Sequence, residues 1–132
     1  WHPNGTQIVF LNSTSAGGGR WSYGFEAITV GTSQISIYFS FNSSTDCGFS
    51  SISPTEQEIV FSSKPLNASG YTQVVRLNIT QSSLVQLTLD GGDYPAWNRD
   101  GSQIVYTRTT KGDGGLWIMN KDGSGKRRLT QP

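Results

Sequence analysis

Cysteine is almost missing from this sequence: Cys47 is the only one in 132 residues. An internal disulfide is therefore excluded. Cys47 is expected to pack as a small, half-buried apolar group, with an intermolecular thiol bridge as the other reading. Histidine is just as scarce, and His2, beside Trp1, reads as a surface residue rather than a general base. One His and one Cys cannot build a zinc cluster. No serine sits in a Gly-x-Ser-x-Gly elbow, and no phosphate-binding glycine loop occurs. The nine acidic residues fall mostly in turns, without a specific catalytic pair. The sequence thus argues against an enzyme and offers no cofactor motif.

Charge is also sparse, at 14% Asp, Glu, Lys and Arg with a formal net charge of +1. Such a balance gives no field to draw a nucleic acid or an anionic membrane. The one dense basic run, Lys126, Arg127 and Arg128, reads as the solvated side of a strand. No apolar run nears the length of about 20 residues that crosses a bilayer, so membrane insertion is not expected. The chain opens at Trp1 with neither Met nor a signal-type segment, and reads as a processed or excised piece.

What is abundant is Gly, at 16 residues, together with 31 Ser and Thr. Short strands joined by many turns, an all-β fold in one structural unit, follow from that composition. An internal repeat then organises the chain. Residues 1–10 (WHPNGTQIVF), 52–61 (ISPTEQEIVF) and 97–106 (WNRDGSQIVY) align without a gap, each with an apolar anchor, turn formers and an Ile-Val-aromatic strand. The anchors Trp1, Ile52 and Trp97 lie 51 and 45 residues apart. A second gapless match runs from Val74–Thr88 to Leu116–Thr130, setting Asn78 on Asn120 and Leu87-Thr88 on Leu129-Thr130. Repeats of 1–51, 52–96 and 97–132 follow, the first irregular and carrying an insertion.

Local chemistry places the strands. In the third repeat Asp100-Gly101 is expected to supply the positive-φ residues of a tight hairpin turn. Strands are expected at Gln103–Arg108, Leu116–Asn120 and Arg127–Thr130, with Tyr94–Trp97 innermost: a four-stranded meander. Thr55-Glu56 replaces the Gly-containing turn in the second repeat. In the first, a strand from Ile8 to Leu11 leads into a loop at Gly17–Gly19. The alternation of Ile35, Ile37, Phe39 and Phe41 predicts a half-buried strand with these four on one face. Trp21, Tyr23 and Phe25 alternate likewise, either as a sugar-stacking or partner-binding face or as the apolar side of a half-buried strand, the reading favoured here.

Trp97-Asn98-Arg99-Asp100-Gly101, Leu116–Gly123 and Arg128-Leu129-Thr130 resemble the repeat of the TolB-like β-propeller family, with WD-type blades. Arg99 stands where that repeat usually has proline, and Ile52 where it has tryptophan. The resemblance implies three four-stranded antiparallel propeller-type blades, a partial propeller; a β-sandwich is the alternative. Three blades leave two apolar flanks that something must cover. The coverings open to it are further blades of a longer chain, a ring of two copies, or an open filament.

Five of the seven asparagines begin Asn-x-Ser/Thr sequons: Asn4, Asn12, Asn42, Asn67 and Asn78. Asn12, Asn42 and Asn67 fall in expected loops, Asn4 in a tight turn and Asn78 near a strand end. Covalent N-glycans at these sites imply an extracellular, secreted protein. The four Asp-Gly pairs lack the ligand spacing of a calcium loop and read as turn chemistry. The function expected from the sequence is a non-enzymatic secreted glycoprotein module, acting in protein interaction or as a subunit of a ring or filament. The alternatives are the propeller portion of a larger hydrolase, such as a prolyl-oligopeptidase-like enzyme, and a periplasmic TolB-like adaptor.

Overall fold

The computed structural model describes residues 1–43, 47–64, 70–108, 110 and 112–130. Its organising element is a turn. His2 N donates to Gln7 O at 2.9 Å, Ser53 N to Glu58 O at 2.8 Å, and Asn98 N to Gln103 O at 3.0 Å. Within each turn, the amide at the fourth position donates back to the carbonyl of the first: Gly5 to His2, Glu56 to Ser53 and Gly101 to Asn98. That fourth residue has positive φ every time, 72° at Gly5, 62° at Glu56 and 74° at Gly101. Only Gly101, not Asp100, enters the left-handed region. Asp100 instead accepts the Ser102 amide at 2.8 Å through its carboxylate.

Every element among the described residues is a strand. The first sheet holds β1 (Gln7–Gly17), β2 (Arg20–Thr29) and β3 (Ile35–Ser43). The second holds β4 (Cys47–Ile52), β5 (Glu58–Ser63), β6 (Gln73–Asn78) and β7 (Ser83–Gln86). The third holds β8 (Asp93–Trp97), β9 (Gln103–Arg108), β10 (Gly115–Asn120) and β11 (Arg127–Arg128), and every pairing is antiparallel between chain neighbours. The sequence repeats and the sheets are offset by one strand, because Ile52 and Trp97 end the first strand of their sheets. The first blade is therefore three-stranded, not four-stranded. Its turn at His2–Gln7 is present, but among the described residues no strand pairs with the outer edge of β1.

The sheets stack in series. Phe25, Ile52, Ile59, Phe61 and Leu77 form one buried cluster between the first and second, joined by Val9, Leu11, Phe39 and Phe41. Val60, Val74, Leu87, Ile104, Tyr106 and Met119 form another between the second and third, flanked by Trp97 and Trp117. Period-2 alternation sends Ile59 and Phe61 to one side of β5 and Val60 to the other. The middle sheet is thus buried on both faces, and each large side chain hidden there contributes about 1.5–3 kcal/mol. Tyr23 and Phe25 are buried at 4% and 0% exposure, so the alternation in β2 is the apolar side of a packed strand, with Trp21 emerging at its end.

The closing Leu-Thr pair has a structural reason. Leu87 N and Leu129 N donate to Val74 O and Leu116 O, each at 2.8 Å. The threonine hydroxyl then accepts the amide that the ladder would otherwise leave unpaired: Val74 N to Thr88 Oγ1 at 2.9 Å, and Leu116 N to Thr130 Oγ1 at 3.0 Å. Thr88 in turn donates to Gln73 Oε1 at 2.8 Å in a fully buried pair.

Three local expectations need correction. Ile35, Ile37, Phe39 and Phe41 do not share a face: a bulge pairs Phe25 with Phe39 but Glu26 with Ile37, skipping Tyr38. Phe39 and Phe41 consequently join the core while Ile35 and Ile37 stay exposed at 58% and 68%. β1 runs on through Gly17 rather than ending near Leu11. His2 is no surface residue but is 3% exposed, stacked on Tyr38 with centroids 5.9 Å apart, its Nδ1 accepting the Asn4 amide at 3.2 Å. It occupies the first turn position, where Ser53 Oγ and Asn98 Oδ1 accept the amides of Glu58 and Gln103.

Candidate interaction surfaces

Strand parity defines the two outward faces of the stack. In the first sheet the register sets Ile28 beside Ile8 and Ile35, and Glu26 beside Phe10 and Ile37. These positions oppose Val9, Leu11 and Phe25, which face the core. Ile8, Phe10, Ile28, Ile35 and Ile37 hence form an apolar patch on the free side. In the third sheet Val105 pairs with Ala96 and Ile118, and Thr107 with Leu116. Ile104, Tyr106 and Met119 take the core side, which leaves Val105, Leu116, Ile118 and Ala96 facing away. Among the described residues no further sheet covers either face; the first is open, with Ile8, Ile35 and Ile37 at 40%, 58% and 68% exposure, whereas on the third Val105 and Leu116 are half-buried and Ile118 is buried at 9%.

The sequons fall differently from expectation. Asn12 and Asn42 lie within β1 and β3, not in loops, because both strands are longer than the apolar pattern suggests. Asn12 is exposed on the free face of the first sheet and donates through Nδ2 to Glu26 Oε1 at 3.2 Å. Asn4 sits in the first turn, its Oδ1 accepting the Thr6 amide and its Nδ2 donating to Gln7 Oε1. Asn78 ends β6, half-buried, and accepts the Gln81 amide at 2.8 Å. Asn67 lies outside the described residues.

The remaining polar groups serve the scaffold. Asp122 accepts the Ser124 amide at 2.9 Å and its hydroxyl at 2.7 Å, as Asp100 accepts Ser102 N, and these serine hydrogen bonds hold both carboxyls below their usual range. Arg128 donates to the Gly114 carbonyl and Lys126 to the Gly123 carbonyl, so the basic run is partly used within its own blade. Arg108 bridges Asp90 at 2.5 Å and Asp113 at 2.8 Å beneath the Trp117 ring. Arg76 reaches from the second sheet to Lys121 O at 2.8 Å, tying two blades together. Cys47 is half-buried against the first core cluster, 3.5 Å from Ser63 Oγ. Of the anchors, Ile52 is buried, Trp97 packs on the second cluster and Trp1 is 75% exposed.

One exposed aromatic pair carries no compositional or motif signal. Phe49 in β4 and Tyr94 in β8 both have positive φ, 24° and 50°, at bulges in their strands. Their rings meet at 4.0 Å between centroids and are 57% and 52% exposed. Each stands three residues before its anchor, Ile52 or Trp97, so extending the repeat alignment upstream is the signal that finds them.

Edge strands β1, β4 and β8, serially stacked meanders and repeated first-turn geometry define a β-propeller-type fold. Solved β-propellers match it at high structural similarity. TolB from Acinetobacter baumannii superposes with a TM-score of 0.73 at 18% identity, over 99% of this chain and 31% of that one. The β-propeller domain of the Trilobed protease from Pyrococcus furiosus gives 0.63 at 11% identity, over 97% and 40%. An acylaminoacyl peptidase of Pyrococcus horikoshii gives 0.60 at 10% identity, over 92% and 23%. The chain spans well under half the length of each of these proteins. No family model and no curated protein matches the sequence.

Proposed function

We propose that this chain is a non-catalytic sector of a larger β-propeller, completed by further blades of its own polypeptide, and that it works as a scaffold for interaction or for gating a neighbouring domain. The observation that carries the reading is the exposed apolar face of the first sheet, Ile8, Ile35 and Ile37 beside Phe10, with the less exposed outward side of the third sheet, Val105, Leu116 and Ile118, as its counterpart at the other end. The two faces differ in sequence, so a covering layer at one end does not cover the other, as expected of blades in series. The unpaired edge of β1 beside an intact His2–Gln7 turn supports the same reading, since that edge is where β5 and β9 each receive an inner strand. The likeness to TolB and to peptidase propellers favours an adaptor or the propeller part of a hydrolase. Either role is consistent with a location outside the cytoplasm, periplasmic or extracellular.

The secreted, self-assembling glycoprotein is the second reading, supported by the five sequons. Asn12 separates the two, because a glycan there occupies the face that a neighbouring blade must cover. Light scattering of the chain over a range of concentrations tests the proposal. The expected result is a mass that climbs above the 14.4 kDa of one copy as concentration rises. A natively folded monomer at every concentration overturns it.

A further inference from the structure

Phe49 and Tyr94 occupy equivalent positions in consecutive blades, and three features of the pair are unusual together. Bulky side chains seldom take positive φ, and a conformation of that kind persists only where its surroundings hold it in place. Here it occurs twice in register, at a bulge each time. Both rings are more than half exposed, although an aromatic ring kept for packing is ordinarily buried. Three hydrogen bonds hold the arrangement from behind: Tyr94 N donates to Asp93 Oδ1 at 2.9 Å and to Ser62 Oγ at 3.1 Å, and Trp97 N to Ser51 Oγ at 3.3 Å. The bulges thus re-aim two aromatic side chains away from the core, on strands that line the open edges of their sheets.

Phe49 also walls a shallow cavity of about 150 Å³, lined further by Cys47, Gly48, Ser62, Lys64, Thr72 and Asp93, with Tyr94 reaching it only through its contact with the Phe49 ring. That volume suits a single six-membered ring. The lining combines an aromatic face with an ammonium, a carboxylate, two hydroxyls and the Cys47 thiol, so donors and acceptors surround one apolar wall. Lys64 and Asp93 cancel in formal charge, which favours a neutral ligand over an ionic one. A pyranose has this profile, with an apolar C–H face for the ring and hydroxyls that both donate and accept around its rim.

We propose that Phe49 and Tyr94 form a saccharide-binding platform, on which one neutral pyranose residue stacks while Asp93 and Thr72 meet its hydroxyls. The site lies wholly within the second and third sheets, so it does not depend on how the ends of the stack are covered. It is also on the opposite side of β2 from the free face of the first sheet, and is distinct from the aromatic run Trp21, Tyr23 and Phe25, whose last two members are buried.

The test is NMR on the whole protein, titrated with methyl glycosides of neutral hexoses and N-acetylhexosamines. The expected result is a saturable response, with amide shifts confined to residues around Phe49, Ser62, Thr72 and Asp93. Phe49→Gly relieves the backbone and removes the ring, so it should bind at least about tenfold more weakly without a lower melting temperature. Tyr94→Ala should weaken binding similarly, while Phe49→Tyr should retain it. The proposal is overturned if no neutral glycoside saturates, if the shifts map elsewhere, or if Phe49→Gly binds as well as the parent. It is equally overturned if only aromatic or proline-rich peptides bind.

Discussion

Glu56 occupies the left-handed turn position that Gly5 and Gly101 fill in the other two repeats, with φ of 62°. Replacing it with glycine should stabilise the protein. A non-glycine residue in this region costs roughly 1–2 kcal/mol, and that strain disappears in Glu56→Gly. Against it stands the extra freedom glycine gives the unfolded chain, about 0.4–1 kcal/mol. The Glu56 carboxylate also lies 3.5 Å from His2 Nδ1, but it is 45% exposed, so losing that contact costs no more than about 0.5 kcal/mol. The net is a gain of about 0.5 kcal/mol, or a melting temperature higher by about 2 °C. The converse change, Gly101→Ala, meets nothing closer than Pro54 Cδ at 3.4 Å, so it isolates the backbone term and should destabilise by about 1 kcal/mol. Gly5→Ala, with nothing within 4 Å, should behave alike. Urea denaturation of the three variants reads these values directly. A loss of stability in Glu56→Gly together with no change in Gly101→Ala would refute the claim that one turn geometry is repeated three times.

Thr88→Val removes the acceptor for Val74 N inside the core and the donor to Gln73, and should cost about 2 kcal/mol; Thr130→Val, at the exposed end, should cost about 0.5 kcal/mol in the same denaturation assay. Tyr106 is fully buried, its hydroxyl has no hydrogen-bond partner among the described residues, and burial pushes its pKa up to about 12. Because the folded value lies above the unfolded one, the stability linked to this group is complete below pH 10 and is lost between about pH 10 and 12. Tyr106→Phe should remove that alkaline component and leave stability at neutral pH unchanged or raised, measured by thermal melts across the range. On the glycosylation sequons, the propeller reading predicts that glycopeptide mass spectrometry of natural material finds Asn12 unmodified; a fully occupied Asn12 contradicts it.

The parts of the fold governed by local rules were legible in the residues. The third repeat shows this best, since Gln103–Arg108 alternates cleanly and the turns carry Asp-Gly-Ser at both ends. The first repeat was harder, because the bulge at Tyr38 reverses the facing of Ile35 and Ile37 relative to Phe39 and Phe41 without any break in alternation. Its polar continuation, Asn12–Gly17, belongs to a long strand only because β2 pairs with it throughout. Burial of His2 was illegible for a related reason: its neighbours Tyr38 and Glu56 are distant in sequence. The aromatic pair at Phe49 and Tyr94 falls on a repeated position only when the alignment is carried upstream of the anchors, and its positive φ and exposure depend on bulges that no residue pattern marks.

The central claim is that the two apolar ends of this stack are internal joints of a larger ring. A structure of the natural protein tests it most directly. The account predicts a β-sheet packed on Ile8, Phe10, Ile35 and Ile37, another packed on Val105, Leu116 and Ile118, and a strand paired along the outer edge of β1. A three-sheet protein with both end faces in solvent would contradict it.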